Sequence, residues 1–205
     1  MAKRESTFKN MVVALFMVTL IAAASLGLVY DMTKEAIETA KTEAKNKAIR
    51  NVLPEYDEVM GEYRIATTPG DDSLEFYPAY KNGNLVGVAI KTYTKKGFSG
   101  YISIMTGIDA EGNFSGYEVL EHAETPGLGS KMDIWFSDAE KPNQMVIGKN
   151  PETARFDVSK DGGEIDAITA STITSRAFLD ALKKAYESYR ETEIKPDESA
   201  RPASK

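Results

Sequence analysis

The sequence contains no cysteine and a single histidine, His122. The first absence excludes structural disulfides, thiolate-held iron–sulfur clusters and thioether-attached haem together. The second argues against a histidine-rich zinc site and against bis-histidine haem. Lack of cysteine does not fix a redox compartment, because a domain of this size holds a core without cross-links. Electron-transfer chemistry in this chain would therefore need a cofactor held by other means. An excess of basic charge is missing too. Three of the 25 basic residues (Lys3, Arg4, Lys9) and one of the 31 acidic residues (Glu5) precede residue 11, which leaves the remainder at a formal charge of −8. A domain of that sign, without a basic stripe, meets phosphate backbones with repulsion, and nucleic acid is excluded as a partner.

Charge is wholly absent from residues 11–30, MVVALFMVTLIAAASLGLVY. Twenty helical residues at about 1.5 Å each span the roughly 30 Å hydrocarbon core of a bilayer. The basic residues ahead of the run keep residues 1–10 cytoplasmic, and everything after residue 30 is expected on the outer face of the cytoplasmic membrane. Ala22 and Ala24 also offer an A-x-A-like cleavage site. The apolar run continues past that site through Leu26, Leu28 and Val29, longer than a signal-peptide core, and favours an uncleaved anchor.

The 205 residues suit one membrane segment and one globular domain. Residues 31–54 form a juxtamembrane helix: Ala, Glu and Lys dominate, Ala36, Ile37, Ala40, Ala44, Ala48 and Val52 share one side, and Pro54 closes it. Residues 55–190 form the domain. Residues 76–81, 85–94, 101–109 and 114–121 read as strands of an antiparallel meander, separated by turn chemistry at Asn82-Gly83-Asn84, Lys96-Gly97 and Glu111-Gly112-Asn113. Residues 132–136 suit a helical turn, and 144–147 and 154–158 are further strand candidates. A final helix from about Thr172 presents Ile173, Ala177, Phe178, Ala181, Leu182, Ala185 and Tyr189 on one face. Residues 191–205 are charged, contain proline, and are expected to be disordered. Strands followed by a helix, without βαβ alternation, define an α+β fold.

Residues 166–175, DAITASTITS, crowd hydroxyl groups where the chain enters the final helix. Helix N-termini offer unpaired N–H groups and partial positive charge, which suits them to phosphate. Plain N-capping by Ser171 or Thr172 is the alternative, and composition alone favours it. Further upstream, residues 124–131 read ETPGLGSK; Ser130 precedes Lys131 rather than following it, so this is not a phosphate-binding P-loop.

These segments resemble the FMN-binding domain shared by the G subunit of Rnf electron-transport complexes and the C subunit of sodium-pumping NADH:quinone reductases. Residues 166–172 are similar to that family's D-x-x-[ST]-G-A-T motif, with Ala170 in place of Gly and Ser171 in place of Ala. Residues 96–117 are similar to its GY-x-G-x-I…GID-x-x-G-x-I-x-G run, and Glu124-Thr125-Pro126-Gly127-Leu128-Gly129 to its ETPGLG loop. The likeness covers residues 8–190, and the compact length favours the Rnf G subunit.

The resemblance implies FMN joined by a phosphoester to Thr172, placed there from FAD by a separate flavin transferase, with Asp166, Thr169 and Ser171 flanking the acceptor. Glu124, Thr125, Gly127, Leu128 and Gly129 are the further candidates for flavin contact: the glycines for close backbone approach, Leu128 for an apolar face, Glu124 and Thr125 to bond the ring or to hold the loop. His122 is expected to end a strand, and Trp135 and Phe136 to lie in the core. The implied role is an electron-carrying subunit, without turnover of its own, in a membrane complex coupling ferredoxin–NAD electron transfer to ion export. A flavin-binding sensory or regulatory module, and a ligand-free structural subunit, are the alternatives.

Overall fold

A computed structural model describes residues 7–65 and 72–192. The expected N-terminal residues 1–6 and most of the expected disordered tail, 193–205, lie outside the described residues. The chain divides into two compact units, residues 1–44 and 45–205.

The first unit is the greater part of helix α1 (Phe8–Val52). Its apolar side chains, Leu15, Phe16, Val18, Ile21 and Leu26 among them, are exposed on every side. Such a surface is stable only in hydrocarbon. Among the described residues this is the one helix long and apolar enough to cross a membrane. Its threonine hydroxyls are satisfied internally, Thr19 donating to the Leu15 carbonyl at 3.0 Å and Thr33 to that of Val29 at 2.8 Å. The transmembrane and juxtamembrane helices expected as separate segments are one continuous helix, because nothing between residues 31 and 52 breaks it.

In the second unit, β1 (Glu58–Val59), β2 (Tyr63–Ile65), β3 (Leu74–Lys81), β4 (Asn84–Gly97), β5 (Gly100–Asp109) and β6 (Phe114–His122) form an antiparallel sheet. Its order is β1-β3-β4-β5-β6, with β2 beside β1 on the β3 edge. The turns expected at residues 82–84 and 111–113 are present, whereas Lys96-Gly97 ends β4 and the β4–β5 turn falls on Phe98-Ser99. Asn82 and Gly83 both adopt positive φ (52° and 78°), the two-residue hairpin geometry whose twist matches the strands. Asp109 accepts the N–H groups of Glu111 and Asn113, closing the β5–β6 turn.

One face of the sheet packs on α3 (Thr172–Glu191) through Ile90, Ile102, Ile104, Phe178, Leu182 and Ala185. Phe178 stacks on Phe136 at 4.4 Å between centroids and meets Tyr117 edge-on at 4.9 Å. Thr92 donates to the Ala181 carbonyl at 2.9 Å, so the helix is also fixed along its axis. The short helix α2 (Met132–Trp135) precedes Phe136, as expected for that stretch. The expected strands at 144–147 and 154–158 are absent: these residues form turns, and only Val158 bridges, to Ile165. Pro142, Gly148 and Pro151 interrupt any run long enough to pair.

The opposite face receives the last turn of α1 through Ala48, Ile49, Val52 and Leu53. Glycines on two adjacent strands make room for it. A Cβ on Gly107 would lie 2.0 Å from the Val52 carbonyl oxygen, and one on the paired Gly116 would lie 2.9 Å from the Val52 Cα. That carbonyl accepts the Ser115 hydroxyl at 2.5 Å, which satisfies one of the free acceptors at the helix end. Gly107→Ala is expected to destabilise the protein by about 2–4 kcal/mol through this backbone clash, read as a lowered thermal unfolding midpoint of the detergent-solubilised full chain.

Candidate functional site

Helix α3 begins at a tightly knotted loop. The Ile168 carbonyl accepts the Ser171 N–H at 2.9 Å, and the Ile168 N–H donates to Ser175 Oγ at 2.9 Å. The Ser175 hydroxyl in turn donates to the Ser171 carbonyl at 3.0 Å. Ala170 occupies the third position of this turn with φ of 62°, the left-handed conformation that glycine adopts without penalty. Ser171 is the N-cap residue but makes no capping hydrogen bond, so it leaves the first-turn N–H groups of Thr172, Ile173 and Thr174 uncapped.

The hydroxyl cluster is sorted by burial. Thr174 and Ser175 are buried and engaged, Thr174 donating to Glu124 at 2.7 Å. Ser171 is 8% exposed, Thr169 is exposed, and Thr172 is intermediate. The Thr172 Oγ1 lies 3.5 Å from Lys160 Nζ.

Glu124, 5% exposed, joins three segments. Its Oε2 accepts the Thr174 hydroxyl and its Oε1 accepts the Ser99 N–H at 2.9 Å in the β4–β5 turn. Its own N–H donates to His122 Nδ1 at 3.1 Å at the end of β6. Gly97 and Gly129 leave the space its carboxylate fills: a Cβ on either would lie within 2.8 Å of an Oε atom. In the next turn the Thr125 carbonyl accepts the Leu128 N–H at 3.1 Å, with Pro126 second and Gly127 third at φ 76°. This is the sequence preference of a type II turn.

Thr172 stands at the common wall of two clefts. The first, about 330 Å³, is lined by Phe98, Glu124, Thr125, Leu128, Gly129 and residues 170–174. Phe98, Leu128 and Ile173 are exposed there, an apolar rim in a polar surface. The second, about 390 Å³, is the more polar of the two: Gln144, Ser159, Lys160, Asp166 and Thr169 line it beside Trp135 and Thr172. Asp166 accepts the Ser159 hydroxyl at 2.5 Å, and its carbonyl accepts the Trp135 indole N–H at 2.9 Å.

The structure thus gathers the residues singled out in the sequence but divides their work. Glu124, Thr125, Leu128 and Gly129 line the apolar cleft with Ser171 and Thr172, whereas Asp166 and Thr169 line the polar one. Glu124 spends both oxygens on holding the site together, and Gly129 gives room to Glu124 rather than to a ligand. Gly127 serves its turn, with open space on its side-chain face. His122 ends β6 and lines neither cleft; Phe136 is core, and Trp135 is only partly buried. Phe98 and Lys160 escape the sequence reading, and Ile173, expected with the apolar face of the final helix, is exposed at the cleft instead of joining the core. The signal for Phe98 and Ile173 is a large apolar residue in a turn or at a helix start; for Lys160 there is none.

Residues 97–187 match the FMN-binding domain, a segment that includes both loops, the hydroxyl cluster and nearly all of α3. The site therefore belongs to a flavin-binding class of protein, and its residues suit that cofactor: an apolar rim for a flat ring, and a hydroxyl, free N–H groups and a cation for a phosphate. The chain is 31% identical over 191 residues to the G subunit of the ion-translocating oxidoreductase complex of Shewanella piezotolerans, covering 89% of each chain. It is 31% identical over 195 residues to the G subunit of the same kind of complex in Aliivibrio fischeri, covering 90% of this chain and 91% of that one. It is also 31% identical over 190 residues to the G subunit of the Na(+)-translocating ferredoxin:NAD(+) oxidoreductase complex of Acetobacterium woodii, covering 86% and 88%. The chain belongs to the family of G subunits of ion-translocating oxidoreductase complexes, and with its apolar N-terminal helix it is a single-pass membrane protein.

The left-handed Ala170 costs about 1–2 kcal/mol, of which the greater unfolded-state freedom of glycine would return part. Ala170→Gly is accordingly expected to raise the thermal unfolding midpoint by a few degrees, a gain of up to about 1 kcal/mol. A lowered midpoint would show that Ala170 is not under strain.

Proposed function

We propose that this protein is the electron-carrying G subunit of an ion-translocating oxidoreductase complex, and that it carries FMN covalently through a phosphoester to Thr172. The observation that carries the attachment is the placement of the Thr172 hydroxyl. It lines both clefts, with a cation at 3.5 Å, while the neighbouring Thr174 and Ser175 hydroxyls are buried and engaged. When bound, FMN supplies one- and two-electron chemistry, and the protein's task is to hold it and tune it.

A threonine hydroxyl is a weak nucleophile and needs a base. His122, the chain's one histidine, is engaged at the end of β6 and lines neither cleft. Loading therefore falls to a separate flavin transferase acting with FAD and a metal ion. The Thr172 Oγ–phosphorus bond forms at the flavin-side phosphate, the pyrophosphate bond breaks, AMP leaves, and the hydroxyl proton passes to the transferase. The partners are that transferase and the other membrane subunits of the complex. By analogy with the Acetobacterium woodii relative, the complex connects ferredoxin and NAD.

Thr172→Val keeps the shape of the side chain and removes the nucleophile. Intact mass under denaturing conditions is expected to show one FMN less water on the wild-type chain from cells holding an active transferase, and the bare chain for Thr172→Val. Ser171→Ala is expected to stay loaded; loss of flavin from Ser171→Ala with retention in Thr172→Val would move the acceptor by one residue.

The basic cluster Lys3, Arg4 and Lys9 ahead of the apolar run supports an orientation with the flavin domain outside the cytoplasm. A reporter fused at the C-terminus is expected to be active only if it functions on the outer side; activity of a reporter that works only in the cytoplasm would reverse this topology.

A further inference from the structure

Lys160 sits in a 3₁₀ turn (Ser159–Asp161) at the end of a loop that Gly162 and Gly163 make possible. Gly162 takes φ 80°, and a Cβ on Gly163 would lie 1.9 Å from the Asp157 carbonyl oxygen. The loop is fastened on both sides of Lys160. Asp161 takes a two-pronged contact from Arg176 of α3, at 2.7 and 2.8 Å, and Ser159 bonds the Ile165 carbonyl at 3.0 Å. The backbone under Lys160 is thus fixed relative to Thr172.

Two carboxylates of this loop are paired with cations of α3. Arg176 answers Asp161, Lys183 answers Asp157 at 2.7 Å, and Asp166 takes the Ser159 hydroxyl. Among the described residues Lys160 forms no ion pair, and its ammonium points at the Thr172 hydroxyl. An acidic domain with abundant carboxylates has left a cation uncompensated at the acceptor oxygen. Beside it stand the N–H groups of the first turn of α3, which Ser171 does not cap. Together they form a half-site for a single negative charge, open on the polar cleft.

We infer that Lys160 is the counter-charge of the phosphodiester, holding a non-bridging phosphate oxygen against the N-terminus of α3. The inference rests on the phosphoester to Thr172 proposed above. A phosphodiester keeps one negative charge at all physiological pH. A lysine reaches it as a point charge without demanding the bidentate geometry of arginine. Lys160 thereby fixes the anchored end of the cofactor, and it favours the loading step by neutralising the phosphate that Thr172 attacks.

The test uses the full-length chain in detergent, incubated with flavin transferase, FAD and Mg²⁺ and followed by intact mass under denaturing conditions. The wild type, Thr172→Val, Lys160→Ala, Lys160→Arg and Lys183→Ala are compared. Lys160→Ala is expected to load about tenfold more slowly at low salt, the scale of one exposed charge-assisted contact, with the gap closing as salt rises. Lys160→Arg should recover most of the rate, and Lys183→Ala should load like the wild type. On the loaded proteins, the ³¹P resonance of the phosphodiester is expected to shift in Lys160→Ala and to stay near its native position in Lys160→Arg. Loading at the wild-type rate, or an equal loss in Lys183→Ala, overturns the inference. Slower loading with an unmoved ³¹P resonance also overturns it, by assigning Lys160 to contact with the transferase. Failure of the wild type itself to load overturns the phosphoester reading, and this inference with it.

Discussion

The site depends on one buried carboxylate. Glu124 is removed from water, and a carboxylate so placed is tolerated only with its oxygens bonded. Its partners come from the β4–β5 turn and from the first turn of α3, and its own residue opens the loop that follows β6. Each of these three segments contributes one apolar residue to the cleft: Phe98 beside Ser99, Ile173 beside Thr174, and Leu128 from the loop itself. The apolar rim exists as a rim because a single side chain draws its three sources together. Gly97 and Gly129 belong to the same arrangement, since a methyl group at either would occupy the place of the carboxylate.

Much of the fold is legible in the sequence because its signals are local. The β3–β4 turn announces itself as Asn-Gly, the long strands are rich in β-branched and aromatic residues, and the apolar face of α3 repeats at helical spacing. What escapes is set by distance along the chain. β1 and β2 are too short to carry a pattern and owe their existence to the free edge of β3. The stretches 144–147 and 154–158 have strand-like residues, but proline and glycine cut them short, and they place Val146, Phe156 and Val158 in the core without forming strands. The candidate site shows the same division. The hydroxyl cluster and the Pro-Gly loop can be read directly. The approach of Phe98 to Ile173, or of Lys160 to Thr172, follows only from the packing of α3 against the sheet.

Burial resolves an ambiguity that composition leaves open. Five hydroxyl residues lie between Thr169 and Ser175, chemically near-equivalent as nucleophiles. The fold commits Thr174 to Glu124 and Ser175 to the turn at Ile168, and leaves Thr172 facing the clefts. The helix start is therefore hydrogen-bonded on its inner side and faces the clefts on its outer side. Ser171 stands at the N-cap without a capping hydrogen bond, so the capping the sequence offers is not made there, and the phosphate-binding reading is the one proposed above.

The exposure of Phe98, Leu128 and Ile173 has a consequence for the life of the chain before it receives a cofactor. Contiguous apolar surface open to water is adhesive and draws chance neighbours as readily as intended ones. A newly made molecule carries this spot uncovered from the moment α3 docks, so the interval between folding and cofactor insertion is its most vulnerable period. In the reading proposed above, insertion covers this spot as well as supplying chemistry, and a cell starved of flavin would then hold a population of this subunit that is folded, anchored and prone to clump.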